Sequence, residues 1–218
     1  MQFIDFHTHT KKTNTDSLSV CSLRVNEIDR IEGAGPFTIG IHPWDSTNSN
    51  LDFQLKKLKE LVHHSRVLAV GEIGLDRLRG APLDTQIELF KKQAEIAEDL
   101  KKPVVIHCVR SFSEIQQLRK QLKPQMHWAV HNFMGNPQIA KSLVQQGFYI
   151  SFCIALAKSE KLCEALKSIP LDRVFFETDD FIENVSDVYV AASNCLSIPV
   201  EKLKVQIEKN YENFFNNH

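Results

Sequence analysis

RVLAVGEIGLD (residues 66–76) opens with a short apolar run, RVLAVGE (66–72), of the kind that buried strands have. Downstream, Ile87, Phe90, Ala94 and Ala97 recur at helical spacing, and PVVIH (103–107) is a second apolar run. A strand, an amphipathic helix and another strand over residues 66–107 form a β-α-β unit. Such a unit implies parallel strands joined by a helical crossover.

The same alternation extends in both directions. Strand candidates are QFIDFH (2–7), SVCSLRV (19–25), FTIGIH (37–42), HWAVH (127–131), FYISF (148–152) and RVFFET (173–178). Helical patterns include Leu51, Leu55, Leu58, Leu61 and Val62, then Ile115, Leu118 and Leu122. Others cover 137–146, 159–168, 186–197 and 199–215, and Pro137 and Pro199 fit helix starts. With the two runs already described, these make eight strands. Eight strands in 218 residues fit an α/β fold, a TIM-type (β/α) barrel, as one domain over residues 1–218. Residues 10–18 are nearly all polar and too few for a helix with its loops. The barrel is therefore expected to be distorted, with its first crossover helix missing and strand 2 irregular.

Bulk composition excludes few function classes. Hydrophobic residues make up 43%, enough for an ordinary core. Twenty-six Lys and Arg oppose 27 Asp and Glu, so the net charge of −1 demands neither a nucleic acid nor a membrane surface. No apolar run approaches the ~20 residues of a membrane span. Cys21, Cys108, Cys153, Cys163 and Cys195 are odd in number and contain no CxxC pair, so reduced thiols in a cytoplasmic protein are expected. MQFIDFHTHT lacks a basic stretch followed by an apolar core, so no secretory leader is expected. No obligate protein partner is evident.

Histidines and acids fall at the ends of the expected strands. His7 and His9 end strand 1, His42 strand 3, Glu72 strand 4, His107 strand 5 and His131 strand 6, while Asp179 follows strand 8. In a parallel barrel these ends share one face. A lone strand-end histidine usually caps a backbone group. Repeated ones require mutual compensation, and a metal ion supplies it, since imidazole and carboxylate both ligate zinc and its neighbours. Alternation along a strand puts His7 and His9 on one side, with Asp5 behind them. Gly71 and Gly74 are expected to leave room around Glu72. Asp76 reads equally as ligand, helix-cap partner or substrate contact. His63, His64, His127 and His218 are not expected to be ligands.

DFHTH (5–9), IGIHPW (39–44), AVGEIGLD (69–76), PVVIHCVRSF (103–112), VHNFMG (130–135) and FFETDD (175–180) together resemble the TatD family of metal-dependent hydrolases, within the amidohydrolase-like barrels. Gln86, Phe90, Gln93 and Ala97 fit the helix after the GEIGLD segment. The resemblance implies a two-metal site. His7, His9 and Asp179 would bind one ion, His107 and His131 the other, and Glu72 would bridge them. It also implies a deoxyribonuclease, with DNA as substrate. Three features depart from the family pattern. The segment from His9 to Ile39 is short, DFIENVSDVY (180–189) replaces a proline-containing stretch, and the total charge is near neutral.

The expected reaction is metal-assisted hydrolysis with two divalent ions, whether zinc, magnesium or manganese. Asp179 and Glu72 are the expected catalytic residues, Asp179 both ligating an ion and accepting the water's proton. Arg110 would pair with a phosphate. His42 would meet the leaving group or hold a water, and Pro43 and Trp44 would line the pocket. Arg77 and Arg79, in the loop before Gly80, would reach the cavity rim, with Arg77 as substrate contact. The alternatives are hydrolysis of a small amide, lactone or phosphoester on the same site, and a metal-binding barrel without catalysis.

Overall fold

The computed structural model describes residues 2–10, 16–27 and 35–216. Its strands are β1 (Phe3–Thr8), β2 (Ser17–Arg24), β3 (Phe37–Gly40), β4 (Val67–Asp76), β5 (Val104–Val109), β6 (Trp128–Val130), β7 (Phe148–Phe152) and β8 (Val174–Phe176). They form one sheet in chain order, and the pairs β2–β3, β3–β4, β4–β5 and β7–β8 are parallel. Helices α1 (Leu51–Leu61), α2 (Leu83–Asp99), α3 (Phe112–Leu122), α4 (Pro137–Gln145), α5 (Glu160–Lys167), α6 (Val185–Leu196) and α7 (Val200–Phe215) lie where the apolar spacing predicts them. That is the strand order and direction expected of a (β/α) barrel. The missing first helix falls largely on residues 11–15, outside the described residues. None of the described helices is long and apolar enough to cross a membrane.

The chain falls into two compact units. One comprises Met1–Val20 and Val130–Asn217. Its core is aromatic. The Phe6 ring stacks on Phe175 at 4.1 Å, and Phe214 from α7 meets both edge-on. Tyr189 of α6, wholly buried, donates its hydroxyl to the Ile4 carbonyl and accepts from the Ile4 N–H. Asn136 caps α4 and Ser159 caps α5, each accepting from the backbone N–H three residues on, of Ile139 and Leu162. A parallel bridge joins Thr8 to Asp179, so β1 runs beside the exit of β8.

The other unit is Cys21–Ala129. Two glutamines of α2 act as substitute strands within it. Gln93 accepts from the Ile41 N–H and donates to the Ile41 carbonyl. Gln86 does the same with Asp76. Each primary amide thus completes the backbone hydrogen bonding where a strand runs out, next to His42 in one case and at Asp76 in the other.

Several expectations need correcting. Strand 4 does not stop at Glu72 but runs on to Asp76. Between Val70 and Ile73 it advances three residues against two on β5, a bulge that holds Gly71 and Glu72. Glu72 therefore sits inside the strand. Gly71 and Gly74 make room for β5 rather than for the carboxylate. A Cβ at 71 would lie 2.7 Å from the Val105 Cβ, and one at 74 only 1.9 Å from the His107 carbonyl oxygen. Strand 2 is not irregular where it meets β3: Cys21–Arg24 pair with Phe37–Gly40 in unbroken register. The cysteines are not all thiols. Cys163 of α5 and Cys195 of α6 form a disulfide, because these packed helices bring their Cα atoms to 5.5 Å. Cys21, Cys108 and Cys153 form no disulfide.

Gly74→Ala forces a methyl into the β5 backbone. It is expected to lower the unfolding free energy by about 3 kcal/mol, the upper part of the usual range for overpacking. Urea denaturation checks this; an unchanged midpoint would mean that β5 can move aside.

Candidate metal centre

Within the first unit, β1 and the segment after β8 bring three donor atoms together. His7 Nε2 lies 3.3 Å from His9 Nε2 and 3.9 Å from Asp179 Oδ1, and His9 Nε2 lies 3.5 Å from the same oxygen. Ligands bonded to one tetrahedral ion at ~2.0–2.1 Å stand roughly 3.3–3.4 Å apart. The triangle is thus close to the size one ion requires, and its chemistry, two imidazoles and a carboxylate, suits a divalent cation. His7 is fully buried and His9 partly so.

The backbone around Asp179 is fixed from β1. The Asp5 carboxylate, buried behind His7, accepts from the Thr178 N–H at 2.8 Å and from its hydroxyl at 2.7 Å. Asp179 N–H donates to the His7 carbonyl. Asp179 adopts φ +51° and Asn132 φ +43°, in the left-handed region that Asp and Asn tolerate better than most residues. Their side chains meet, Asn132 Nδ2 donating to Asp179 Oδ2 at 2.6 Å.

His131 stacks on His7 with ring centroids 4.1 Å apart. Its Nδ1 lies 3.2 Å from Glu177 Oε1. Glu177 also accepts from the Asn132 N–H at 2.7 Å and from the Ser151 hydroxyl, and it has no exposed surface. With both oxygens engaged, Glu177 orients His131 through Nδ1, which leaves Nε2 as the nitrogen that could hold a metal ion. In the sequence, Asn132 and Glu177 stand out only as members of VHNFMG and FFETDD, and Ser151 only as part of the strand run FYISF. The signal for Glu177 was its place two residues before Asp179, the same spacing that singled out His7 and His9.

Within the second unit, Glu72 Oε1 lies 2.6 Å from His107 Nδ1 and 3.1 Å from His42 Nε2. His107 Nε2 lies 3.2 Å from Asp76 Oδ2, so a carboxylate faces each nitrogen of that ring. Asp76 is thereby a contact of His107 and a turn acceptor for the Leu78 N–H, and it also takes the Trp44 indole N–H at 2.6 Å. Burial would push the Asp76 carboxyl up. The hydrogen bonds from Trp44 and Leu78, together with His107, outweigh it and hold the group below its ordinary value. His42 is differently committed. Its Nδ1 accepts from the Trp44 N–H, so Nε2 carries the proton and donates to Glu72. His42 is buried and braces Glu72. Arg77 is exposed and ion-paired with Glu114, and Arg110, also exposed, has φ +54°.

Comparisons with known proteins agree with these features. A sequence profile described as TatD related DNase matches residues 15–216. An uncharacterized metal-dependent hydrolase, YabD of Bacillus subtilis, is 31% identical over 71% of this chain, and the chain spans 60% of that relative's length. Deoxyribonuclease Tat-D of Schizosaccharomyces pombe is 27% identical over 65% of this chain and 50% of its own length. Among solved structures, the TatD homolog YJJV of Escherichia coli superposes with a TM-score of 0.84 at 21% identity, covering 99% of this chain and 98% of that one. A TatD-family hydrolase from Entamoeba histolytica gives 0.81 at 19% identity, covering 100% and 99%. At such identities the likeness shows the fold, and the fold is the TIM-type barrel.

Burial holds His42 below its ordinary value of 6.5, an effect that the hydrogen bond to Glu72 only partly offsets. Below that value the unfolded chain takes up a proton that the folded chain refuses. Stability contributed by neutral His42 is thus lost as pH falls through 6.5 toward its lower folded value. Asp76 acts in the same direction only in stronger acid, as pH falls below 3.8. Urea midpoints of the metal-free protein should drop between about pH 7.5 and about pH 5.5, and less steeply in His42→Gln. Equal slopes would remove His42 as the group responsible.

Proposed function

Because the chain belongs to the TatD-related DNase family, we propose that it is a metal-dependent hydrolase that cleaves phosphodiester bonds in DNA with two divalent ions. The observation that carries this reading is the triangle of His7 Nε2, His9 Nε2 and Asp179 Oδ1, whose edges of 3.3, 3.5 and 3.9 Å are close to those one ion requires. The proposed ligands are His7, His9 and Asp179 for one ion and His107 and His131 for the other, with Glu72 shared. Zinc, manganese and magnesium all accept such donors. The name of the fission-yeast relative supports a DNA substrate. A cytoplasmic location belongs to the same reading and is supported by Cys21, Cys108 and Cys153, which form no disulfide, while the Cys163–Cys195 pair pulls the other way.

Bound divalent ions supply Lewis-acid polarisation and ease the deprotonation of water. The chain's own groups do the rest. Asp179 accepts the proton of the attacking water. Its carboxylate is aimed by Asn132, and its backbone is anchored through Thr178 to Asp5. Glu177 fixes the ring plane of His131, and His42 fixes the Glu72 carboxylate. Arg110 sits three residues beyond His107 and is proposed to pair with a phosphate oxygen.

Elemental analysis of metal-saturated protein should find two ions per chain; one or none at saturation rejects the two-metal site. Asp179→Asn keeps the side-chain shape but ligates poorly and accepts no proton. It should lower turnover of single-stranded DNA by well over tenfold, a barrier increase above ~1.4 kcal/mol, while the fold is retained by circular dichroism. Activity within about tenfold of wild type would exclude Asp179 as proton acceptor. A small lactone or a plain phosphodiester hydrolysed with DNA left intact would favour the small-molecule reading.

A further inference from the structure

We propose that Arg79, held over the indole of Trp44, is the phosphate-gripping residue of the substrate site. The substrate class rests on the phosphodiesterase reading above; the placement of the guanidinium does not. The Arg79 Cζ lies 4.4 Å from the centroid of the Trp44 ring. Trp44 is itself fixed, since its indole N–H donates to Asp76 Oδ2, the oxygen that also faces His107 Nε2. Its ring meets the rings of His42 and His107 edge-on, with centroids 4.6 and 5.8 Å away. The indole thus joins the polar centre on one edge and carries a cation on its face.

The turn that bears Arg79 is clamped to the turn that bears Trp44. Gly80 has φ +87°, and a Cβ there would lie 2.3 Å from the Pro43 carbonyl oxygen. Ser46 Oγ donates to that carbonyl and accepts from the Ala81 N–H, while Gln86 Nε2 donates to the carbonyls of Arg79 and Ala81. Arg79 is therefore presented by a backbone fixed on both sides.

Charge pairing separates Arg79 from its neighbours. Arg24 also approaches the Trp44 ring, at 5.7 Å, but it is ion-paired with Asp45 at 3.2 Å. Arg77, the substrate contact expected from the sequence, is ion-paired with Glu114. Among the described residues, Arg79 has the indole and no carboxylate partner. A guanidinium resting on an aromatic face has lost part of its freedom before binding, and its N–H groups remain donors suited to phosphate oxygens. Exposure of the residue leaves it accessible to a strand of nucleic acid.

The test uses the full chain, metal-free, titrated with a thymidine dinucleotide carrying one phosphodiester and, separately, with thymidine. Binding is read by tryptophan fluorescence. The chain has two tryptophans; Trp128 is 1% exposed, and loss of the signal in Trp44→Phe assigns it to Trp44. Arg79→Ala should weaken dinucleotide binding about tenfold, as expected for a lost charge-assisted pair. Arg79→Lys should fall in between, and Arg77→Ala should lose less than Arg79→Ala. Lys92→Ala, an exposed charge on α2, should stay within about twofold if the effect is local rather than a general charge effect. In the metal-loaded enzyme, Arg79→Ala should raise KM on DNA with kcat little changed. The proposal is overturned if the wild type shows no binding, if Arg79→Ala stays within about twofold, if thymidine is affected as much as the dinucleotide, or if Arg77→Ala loses more. If no DNA is cut but Arg79→Ala still loses the dinucleotide, the proposed function fails and this inference stands. If DNA is cut with an unchanged KM in Arg79→Ala, only the inference fails.

Discussion

Carboxylates taken out of water must be compensated by donors or by cations, since an uncompensated buried charge is penalised by several kcal/mol. This constraint governs both units. Glu177 has no exposed surface and takes donors from Asn132, Ser151 and His131. Asp5, equally buried, takes two from Thr178. These two acids are fully engaged inside the protein, and that is why they serve as supports. Asp179 differs. One of its oxygens takes Asn132, while the other faces two imidazoles at spacings suited to a shared cation. The rings of His42 and His107 differ in how their partners match: His42 has a donor, the Trp44 N–H, at Nδ1 and an acceptor, Glu72, at Nε2, whereas His107 faces a carboxylate at both nitrogens and a neutral imidazole has an N–H for only one of them.

Holding such groups requires backbone that cannot drift, and here the structure uses devices with no catalytic chemistry. Gln86 and Gln93 finish the hydrogen bonding of strand ends with primary amides. The two lie on one face of α2, seven residues apart, so a single helix sets the position of both Ile41 and Asp76. Gly74 lets β4 and β5 approach more closely than any side chain would allow. The bulge before it turns Glu72 out of the regular alternation of the strand.

How much of this was legible in the sequence follows from how local each signal is. Strands and helices emerged because apolar residues at periods of two and 3.6 report burial residue by residue. The HxH pair emerged because alternation along one strand fixes which side its side chains take. Glu72 was placed at a strand end because a bulge breaks the alternation without leaving a compositional trace. Gly71 and Gly74 were read as space for a carboxylate, when the neighbour that needs the space is a strand more than thirty residues away in the chain. Glu177 was passed over because its role depends on Ser151 and Asn132, and no pattern in FFETDD discloses them. The disulfide was missed for a related reason. Cys163 and Cys195 are 32 residues apart and meet only because α5 packs on α6.

The separation of Asp179 from His7 along the chain has a mechanical consequence. Their meeting depends on β1 lying beside the exit of β8, a pairing written into the Thr8–Asp179 bridge and the Asp5–Thr178 hydrogen bonds. Bringing residues so distant in sequence together carries a loop-closure entropy that local contacts cannot offset, so the donor triangle exists only once the unit has folded. An ion that binds this triangle therefore binds the native state and not the unfolded chain, and it adds its binding free energy to stability. The aromatic packing of Phe6, Phe175 and Phe214 draws the same strands together without any ion. Apolar packing thus positions the two imidazoles and the carboxylate in advance, and three donor atoms of this kind at 3.3–3.9 Å from one another suit a shared cation.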